Sequence, residues 1–248
     1  MLGASMPLAL AWRPVVTHAD APNTGSIREW IRGGIERDSN GVVRRVFDLD
    51  TPLAGEVLLR ATKTDALPDG YVPRDVVSTV ASGIPAAGSQ VIRAVIADDT
   101  RALVREASSA GYNLYVGSGF RSQSYQADVF AAQVARWGDE DTANRYSARP
   151  GHSQHQLGTT IDFTNEFRTF RGSSAPDWLR EHAYLFGFVL PYTLAATDRT
   201  GYIDEPWHGR WVGRALAGRL QSAGYQDWTD LDVDDVVAMV RTEASLDA

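Results

Sequence analysis

Five histidines occur in this chain: His18, His152, His155, His182 and His208. Two of them fall in Pro150-Gly151-His152-Ser153-Gln154-His155-Gln156-Leu157-Gly158, which runs on to Asp162. A third falls in Asp204-Glu205-Pro206-Trp207-His208-Gly209-Arg210-Trp211. Both segments are polar and punctuated by glycine, unlike the apolar face of a helix. Two imidazoles and one carboxylate can hold a zinc ion and leave a position for water. His155, Asp162 and His208 form such a set. Glu205 lies three residues before His208, but Pro206 disfavours a helical conformation at Glu205, so this is not the helical pair of a His-Glu-x-x-His motif. A carboxylate this close to a metal ligand can take a proton from water that zinc has acidified to a pKa of about 7.

The elements around these residues have to bring them together. Ile92, Val95, Ile96, Leu103, Val104 and Ala107 recur at helical spacing, and Gly111 is a stop. Asn113 to Val116 reads as a strand that ends in Gly117-Ser118-Gly119, with Arg121 close behind. Ser122 or Ser124 caps a helix that runs to about Trp137. A strand near Thr159 to Thr164 puts Ile161 and Phe163 on one face and Thr160, Asp162 and Thr164 on the other. Ser174-Ala175-Pro176-Asp177 opens a helix with a capping-box-like start, and Gly187 closes it. Trp211 to about Ala223 and Asp232 to about Glu243 read as helices. Residues 76–92 read as a loop.

Residues 1–64 have a different texture. Val42 to Leu49 and Glu56 to Arg60 read as short strands, and Ile27 to Ile35 as a short helix. Asp65 to Gly70 is the expected junction. This gives an N-terminal extension, 1–64, and a main domain, 65–248. Strands and helices mix without regular βαβ alternation, so the expected class is α+β, with a small central antiparallel sheet flanked by helices.

The chain has 248 residues, 44% hydrophobic and 22% charged, which suits a globular protein with a full core. The formal net charge of -7 argues against a nucleic-acid binder held by phosphate contacts. With no cysteine, thiol nucleophiles and Cys-based zinc sites are excluded. There is no Gly-x-Ser-x-Gly nucleophile elbow either. No integral membrane segment and no clear signal peptide are visible.

Four blocks in order carry a family resemblance. They are Ser118-Gly119-Phe120-Arg121-Ser122 with Tyr125-Gln126, then Pro150 to Gly158, then Asp162, then Glu205 to Gly213. Together they resemble the VanY-type D-alanyl-D-alanine carboxypeptidases, zinc peptidases related to VanX and to the hedgehog-like fold. Tyr71-Val72-Pro73, Trp178-Leu179 with Gly187-Phe188, and Thr200-Gly201-Tyr202 resemble the intervening blocks. The resemblance implies His155, Asp162 and His208 as zinc ligands and Glu205 as general base. It implies that Arg121 stabilises the oxyanion or holds the substrate's terminal carboxylate, and that Gln126 and Ser153 contact substrate. Trp207 is a candidate wall residue beside them. Gly209 stands where relatives usually carry an aromatic, which implies a more open pocket wall.

Each of these residues also has a purely structural reading. Arg121 can form a salt bridge, Glu205 can pair with Arg210, Ser153 can cap a turn, Gln126 can occupy a helix face, and Trp207 can pack. Tyr125 reads as core, His182 as a packed and hydrogen-bonded side chain, and His152 as a rim residue.

The expected activity is a zinc-dependent D,D- or L,D-carboxypeptidase that removes the terminal D-amino acid from peptidoglycan stem peptides. The alternatives are a lytic endopeptidase of the same fold and a non-catalytic cell-wall-binding module. The expected substrate in turn implies a location outside the cytoplasmic membrane.

Overall fold

The structure, a computed structural model, describes residues 57–165 and 169–224 together with the backbone of 34–37 and 43–46. Gly34–Arg37 (β1) and Val43–Val46 (β2) pair antiparallel as a separate two-stranded ribbon. Val76–Ser78 (β3) pairs with Val91–Arg93 (β4), so the segment read as a loop carries a strand at each end. Ile92 therefore belongs to β4, and the long helix starts two residues later, at Ala94–Ser109 (α1).

The main sheet contains Leu114–Ser118 (β5), Thr160–Asn165 (β6), Phe188–Val189 (β7) and His208–Trp211 (β8), in the order β5-β6-β8-β7. Every neighbouring pair is antiparallel. Around it lie Gln123–Trp137 (α2), Glu140–Tyr146 (α3), Ala175–His182 (α4) and Arg214–Ala223 (α5). The class is α+β, as the mixed pattern predicts.

Local chemistry accounts for most boundaries. Ser122 caps α2 by accepting the Tyr125 N–H at 3.1 Å, and Gly138 ends it in the left-handed region. Asp139 caps α3 by accepting the Thr142 N–H at 2.7 Å. The expected capping box at α4 does not form: the Ser174 hydroxyl makes no cap bond, and the neighbouring Ser173 hydroxyl accepts the Ala175 N–H instead. Trp211 ends β8 rather than opening a helix, because Gly213, at φ 88°, breaks the chain before α5.

On α1 the buried positions Ile96, Thr100, Leu103, Val104 and Ala107 form one stripe facing the sheet. Ile96, Leu103, Val104 and Ala107 join Ile92, Leu114, Val116, Ile161, Phe163, Leu179, Phe188 and Trp211 in the main core. Each large side chain buried there contributes roughly 1.5–3 kcal/mol. The Ile161/Phe163 face of β6 is the core face, as the alternation predicts.

Residues 57–60 do not form a strand. Val57 is buried in the main core, and Arg210 donates to the carbonyl oxygens of Val57 and Leu59. The expected junction is also packed: Leu67 shares a small apolar cluster with Ala61 and Leu157, and its N–H bonds Gly151 O at 2.8 Å. Of the expected helix over Ile27 to Ile35, Ile35 lies in β1, and 27–33 fall outside the described residues, as does Asp232 to Glu243. Among the described residues, no helix is long and apolar enough to cross a membrane.

Candidate active site

Strand register builds the first half of the site. In the β6–β8 ladder, Asp162 is directly opposite His208. Facing residues of an antiparallel pair point to the same side of the sheet, so the carboxylate and the imidazole project together from the face opposite Ile161 and Phe163. His155 comes from a 3-10 turn, Gln154–Leu157, immediately before β6. Gly158 closes that turn at φ 69°, where a Cβ would lie 2.8 Å from Arg93 Cγ. The turn therefore requires glycine, and it delivers His155 to the same side as Asp162.

The ligand atoms of His155, Asp162 and His208 all lie within 4.8 Å of one another. Asp162 Oδ1 is 3.2 Å from both His155 Nε2 and His208 Nδ1. The outer nitrogens of both rings face acceptors. His155 Nδ1 is 2.8 Å from the Gly119 carbonyl oxygen, and His208 Nε2 is 3.1 Å from Gln154 Oε1. Acceptors at the outer nitrogens favour the tautomer that turns the inner nitrogens toward a shared cation. Burial pulls His208 down to about 4, although neighbouring Asp162 opposes this, so its ring is neutral at pH 7. Asp162 is ionised: burial raises its pKa, but the two imidazoles outweigh burial and hold it well below the usual carboxylate range. Two imidazole nitrogens and a carboxylate oxygen thus converge, and among the described residues Asp162 Oδ1 is buried without a hydrogen-bond donor. This donor set fits a divalent cation such as zinc.

Arg121 meets the other carboxylate oxygen, with its guanidinium 2.7 Å from Asp162 Oδ2 and its Nε donating to Ser118 Oγ at 2.9 Å. Glu205 Oε2 is 3.5 Å from His208 Nδ1, and the Glu205 N–H bonds the Tyr192 carbonyl at 2.8 Å. Burial, reinforced by Asp162, pushes Glu205 up to about 8, against the pull of Arg121, Lys63 and Arg171. All five residues singled out for metal and acid–base chemistry are therefore brought together.

The candidate substrate contacts are more deeply built in. Gln126 is fully buried, and its amide nitrogen bridges Ser147 Oγ at 3.0 Å and the Ala148 carbonyl at 2.8 Å. Ser153 is buried and accepts the His155 N–H at 3.3 Å, setting the turn that presents His155. Trp207 is half-buried against the core, with the Arg171 guanidinium 4.8 Å from its ring.

Several expectations are corrected. Gly209 lines no pocket: opposite Ile161 it faces the core, where a Cβ would stand 2.8 Å from Phe163 Cε2. Tyr125 is 56% exposed rather than core, because the buried stripe of α2 is carried by Gln126 and Phe130. His152 stays outside the cluster and bonds the Thr62 carbonyl at 2.8 Å. His182 is packed as expected, stacked on Trp178 at 4.6 Å and bonded to its carbonyl at 2.8 Å. Gln154, Ser118 and Tyr192, whose ring is 4.6 Å from that of His208, received no role from the sequence. Gln154, adjoining His155, and Ser118, which opens the first quoted block, carried a signal that could have been followed; Tyr192 carried none.

Comparison with known proteins identifies the family. The family model for VanY, D-alanyl-D-alanine carboxypeptidase, matches residues 89–214. The putative carboxypeptidase YodJ of Bacillus subtilis (strain 168) is 33% identical over 188 residues, covering 72% of this chain and 68% of that protein. A zinc-bound mutant of the vancomycin resistance D,D-pentapeptidase VanY from a VanB-type cassette superposes with a TM-score of 0.61 at 26% identity, covering 68% of this chain and 96% of that one. The LD-carboxypeptidase LdcB gives a TM-score of 0.62 at 27% identity, covering 84% and 95%. The fold is the hedgehog-like fold of these peptidases. The chain is a carboxypeptidase and belongs to the VanY D-alanyl-D-alanine carboxypeptidase family.

Proposed function

We propose that this protein is a zinc-dependent D,D- or L,D-carboxypeptidase that removes the terminal D-amino acid from peptidoglycan stem peptides outside the cytoplasmic membrane. The observation that carries this reading is the convergence of two imidazole nitrogens and one carboxylate oxygen within 4.8 Å of one another, with a second carboxylate beside them. Relatives of both specificities, a D,D-pentapeptidase and an LD-carboxypeptidase, share the fold, so the reading spans both.

His155, Asp162 and His208 would hold the zinc ion. When bound, zinc supplies Lewis acidity, acidifying water and polarising an amide carbonyl. Glu205 is the general base: its carboxylate takes the proton of the attacking water and returns it to the leaving amine. Arg121 orients Asp162, and its positive charge stands beside the position where the oxyanion develops. Gln154 and the Gly119 carbonyl fix the two imidazole tautomers. Gln126, Ser153 and Trp207 shape the surrounding wall. The domain that carries this chemistry is proposed to include residues 57–64, which pack into its core.

The test is digestion of defined tetrapeptide and pentapeptide stems by the zinc-loaded protein, read by mass spectrometry. Release of a single D-amino acid is expected, and the stem that is cut distinguishes L,D from D,D specificity. Release of larger fragments would make the protein an endopeptidase. Binding without turnover would make it a wall-binding module.

A further inference from the structure

Glu205 and His208 stand at opposite ends of one turn. Pro206 and Trp207 occupy its two central places, and the His208 N–H closes it on the Glu205 carbonyl at 3.0 Å. Proline suits the first of those places because its ring presets φ there. The His208 end is held by the β6–β8 ladder, by Gln154, and by the Phe163 N–H, which bonds the Trp207 carbonyl at 2.9 Å. The Glu205 end lies outside the ladder, with its N–H on the Tyr192 carbonyl at 2.8 Å. The sheet therefore braces the candidate ligand more directly than the candidate base three residues before it.

Arg171 supplies a brace at the Glu205 end. It comes from a short 3-10 turn, Phe170–Gly172, whose Phe170 is buried in the main core. Its guanidinium donates to the backbone carbonyl of Asp204, lies 3.9 Å from the Asp204 carboxylate, and stands 4.8 Å from the centre of the Trp207 ring. One side chain thus grips the residue before Glu205 and the residue two after it. Arginine suits both contacts at once, since a planar guanidinium covers an aromatic face while its N–H groups donate to oxygen. The Arg171 side chain is 56% exposed, and an exposed ion pair of this kind contributes little to global stability. Its effect is local, on the backbone of residues 204–207.

We propose that Arg171 is a positioning residue for peptide hydrolysis: by holding Asp204 and Trp207 it fixes the turn from which Glu205 reaches the attacking water. Arg171 acts through Glu205, so this role rests on the reading of Glu205 as general base. A base must stand within hydrogen-bond reach of the proton it takes, and a displacement of about 1 Å can cost roughly 100-fold in rate. A clamp on both sides of the base limits that displacement.

Two measurements test the clamp. In the metal-free full chain, amide hydrogen exchange reads local opening of the turn without turnover. Arg171→Met is expected to speed exchange at the Glu205 and His208 N–H groups about ten-fold, the opening that follows loss of one charge-assisted hydrogen bond. The amides of α1 and β5 should not change, and Arg171→Lys should restore part of the protection. In the zinc-loaded protein digesting a stem peptide, Arg171→Met should lower kcat about ten-fold with KM and zinc affinity unchanged, and should cost nothing further in a Glu205→Gln background. Should Arg171→Met not fold, Arg171→Gln carries the same two measurements. Unchanged exchange, a rise in KM at constant kcat, or an additive loss in the double variant would overturn the positioning role. Wild type that releases no D-amino acid while the exchange pattern holds would overturn the carboxypeptidase reading and not the clamp, so the two failures give different results.

Discussion

Arg121 grips Asp162 by one carboxylate oxygen only, at 2.7 Å on Oδ2, and leaves Oδ1 bare toward the two imidazoles. Ser118 steadies the guanidinium through Nε, and the Arg121 N–H bonds the His155 carbonyl at 3.2 Å. Arg121 is thus tied to two of the three candidate ligands. Arg121→Met should lower zinc affinity roughly 10–100-fold, the usual loss when a partner that orients a ligand is removed. Arg121→Lys should fall between, because an ammonium keeps the charge but not the fork. Competition with a chromophoric chelator measures this. Unchanged zinc affinity in Arg121→Met would restrict the residue to substrate contact.

The metal-free protein should show a pH-dependent strain at Glu205. Burial, then Asp162, raise this carboxyl from 4.5 to about 8. The fold therefore keeps a proton between those values that the unfolded chain has released. The group's contribution to stability is complete below 4.5 and is lost as pH rises through 8. His208 works oppositely: burial lowers it from 6.5 to about 4, so its contribution is restored as pH rises across that window. Glu205→Gln removes only the first effect. In chelator, its melting temperature should rise relative to wild type between pH 5 and 9, by several degrees at about 2–4 °C per kcal/mol. A melting difference that stays flat with pH would show that Glu205 is better solvated than its surroundings indicate.

The chemistry of the site was more legible in the sequence than its geometry. His155, Asp162 and His208 stand out by residue type and polar context, and the alternation along β6 correctly turns Asp162 away from Ile161 and Phe163. The pairing of Asp162 with His208 could not be read, because β8 is four residues long and runs toward a segment with helical character. Strands that short are stabilised by their neighbours more than by their own propensity. The same holds for two-residue β7.

Gly209 tests how closely that register is specified. A methyl group there would meet Phe163 Cε2 at 2.8 Å and Phe188 Cδ1 at 3.4 Å, inside an edge-to-face pair whose centroids are 5.7 Å apart. Gly209→Ala should destabilise the protein by about 1–3 kcal/mol through overpacking. Since Gly209 adjoins His208 in β8, zinc affinity should weaken as well. Urea unfolding with and without zinc separates the two effects. Wild-type stability in the variant would mean that the two rings shift apart at little cost.

Val57 and Arg210 tie the segment 57–59 to the main core. Val57 is buried in the main core, and its carbonyl, with that of Leu59, accepts from the buried Arg210 guanidinium. Cutting the chain at 65 removes both acceptors, the buried side chains of Val57 and Ala61, and Lys63. A buried donor left unpaired costs about 1–3 kcal/mol, and the lost apolar burial costs a further 1.5–3 kcal/mol or so for a residue such as Val57. A chain of residues 50–248 should therefore unfold at clearly higher urea than one of 65–248, and the shorter chain should bind zinc more weakly because β8 is held at Arg210. Equal urea midpoints for the two chains would place the boundary at 65 and reduce residues 57–64 to a cover over a domain that is complete without them.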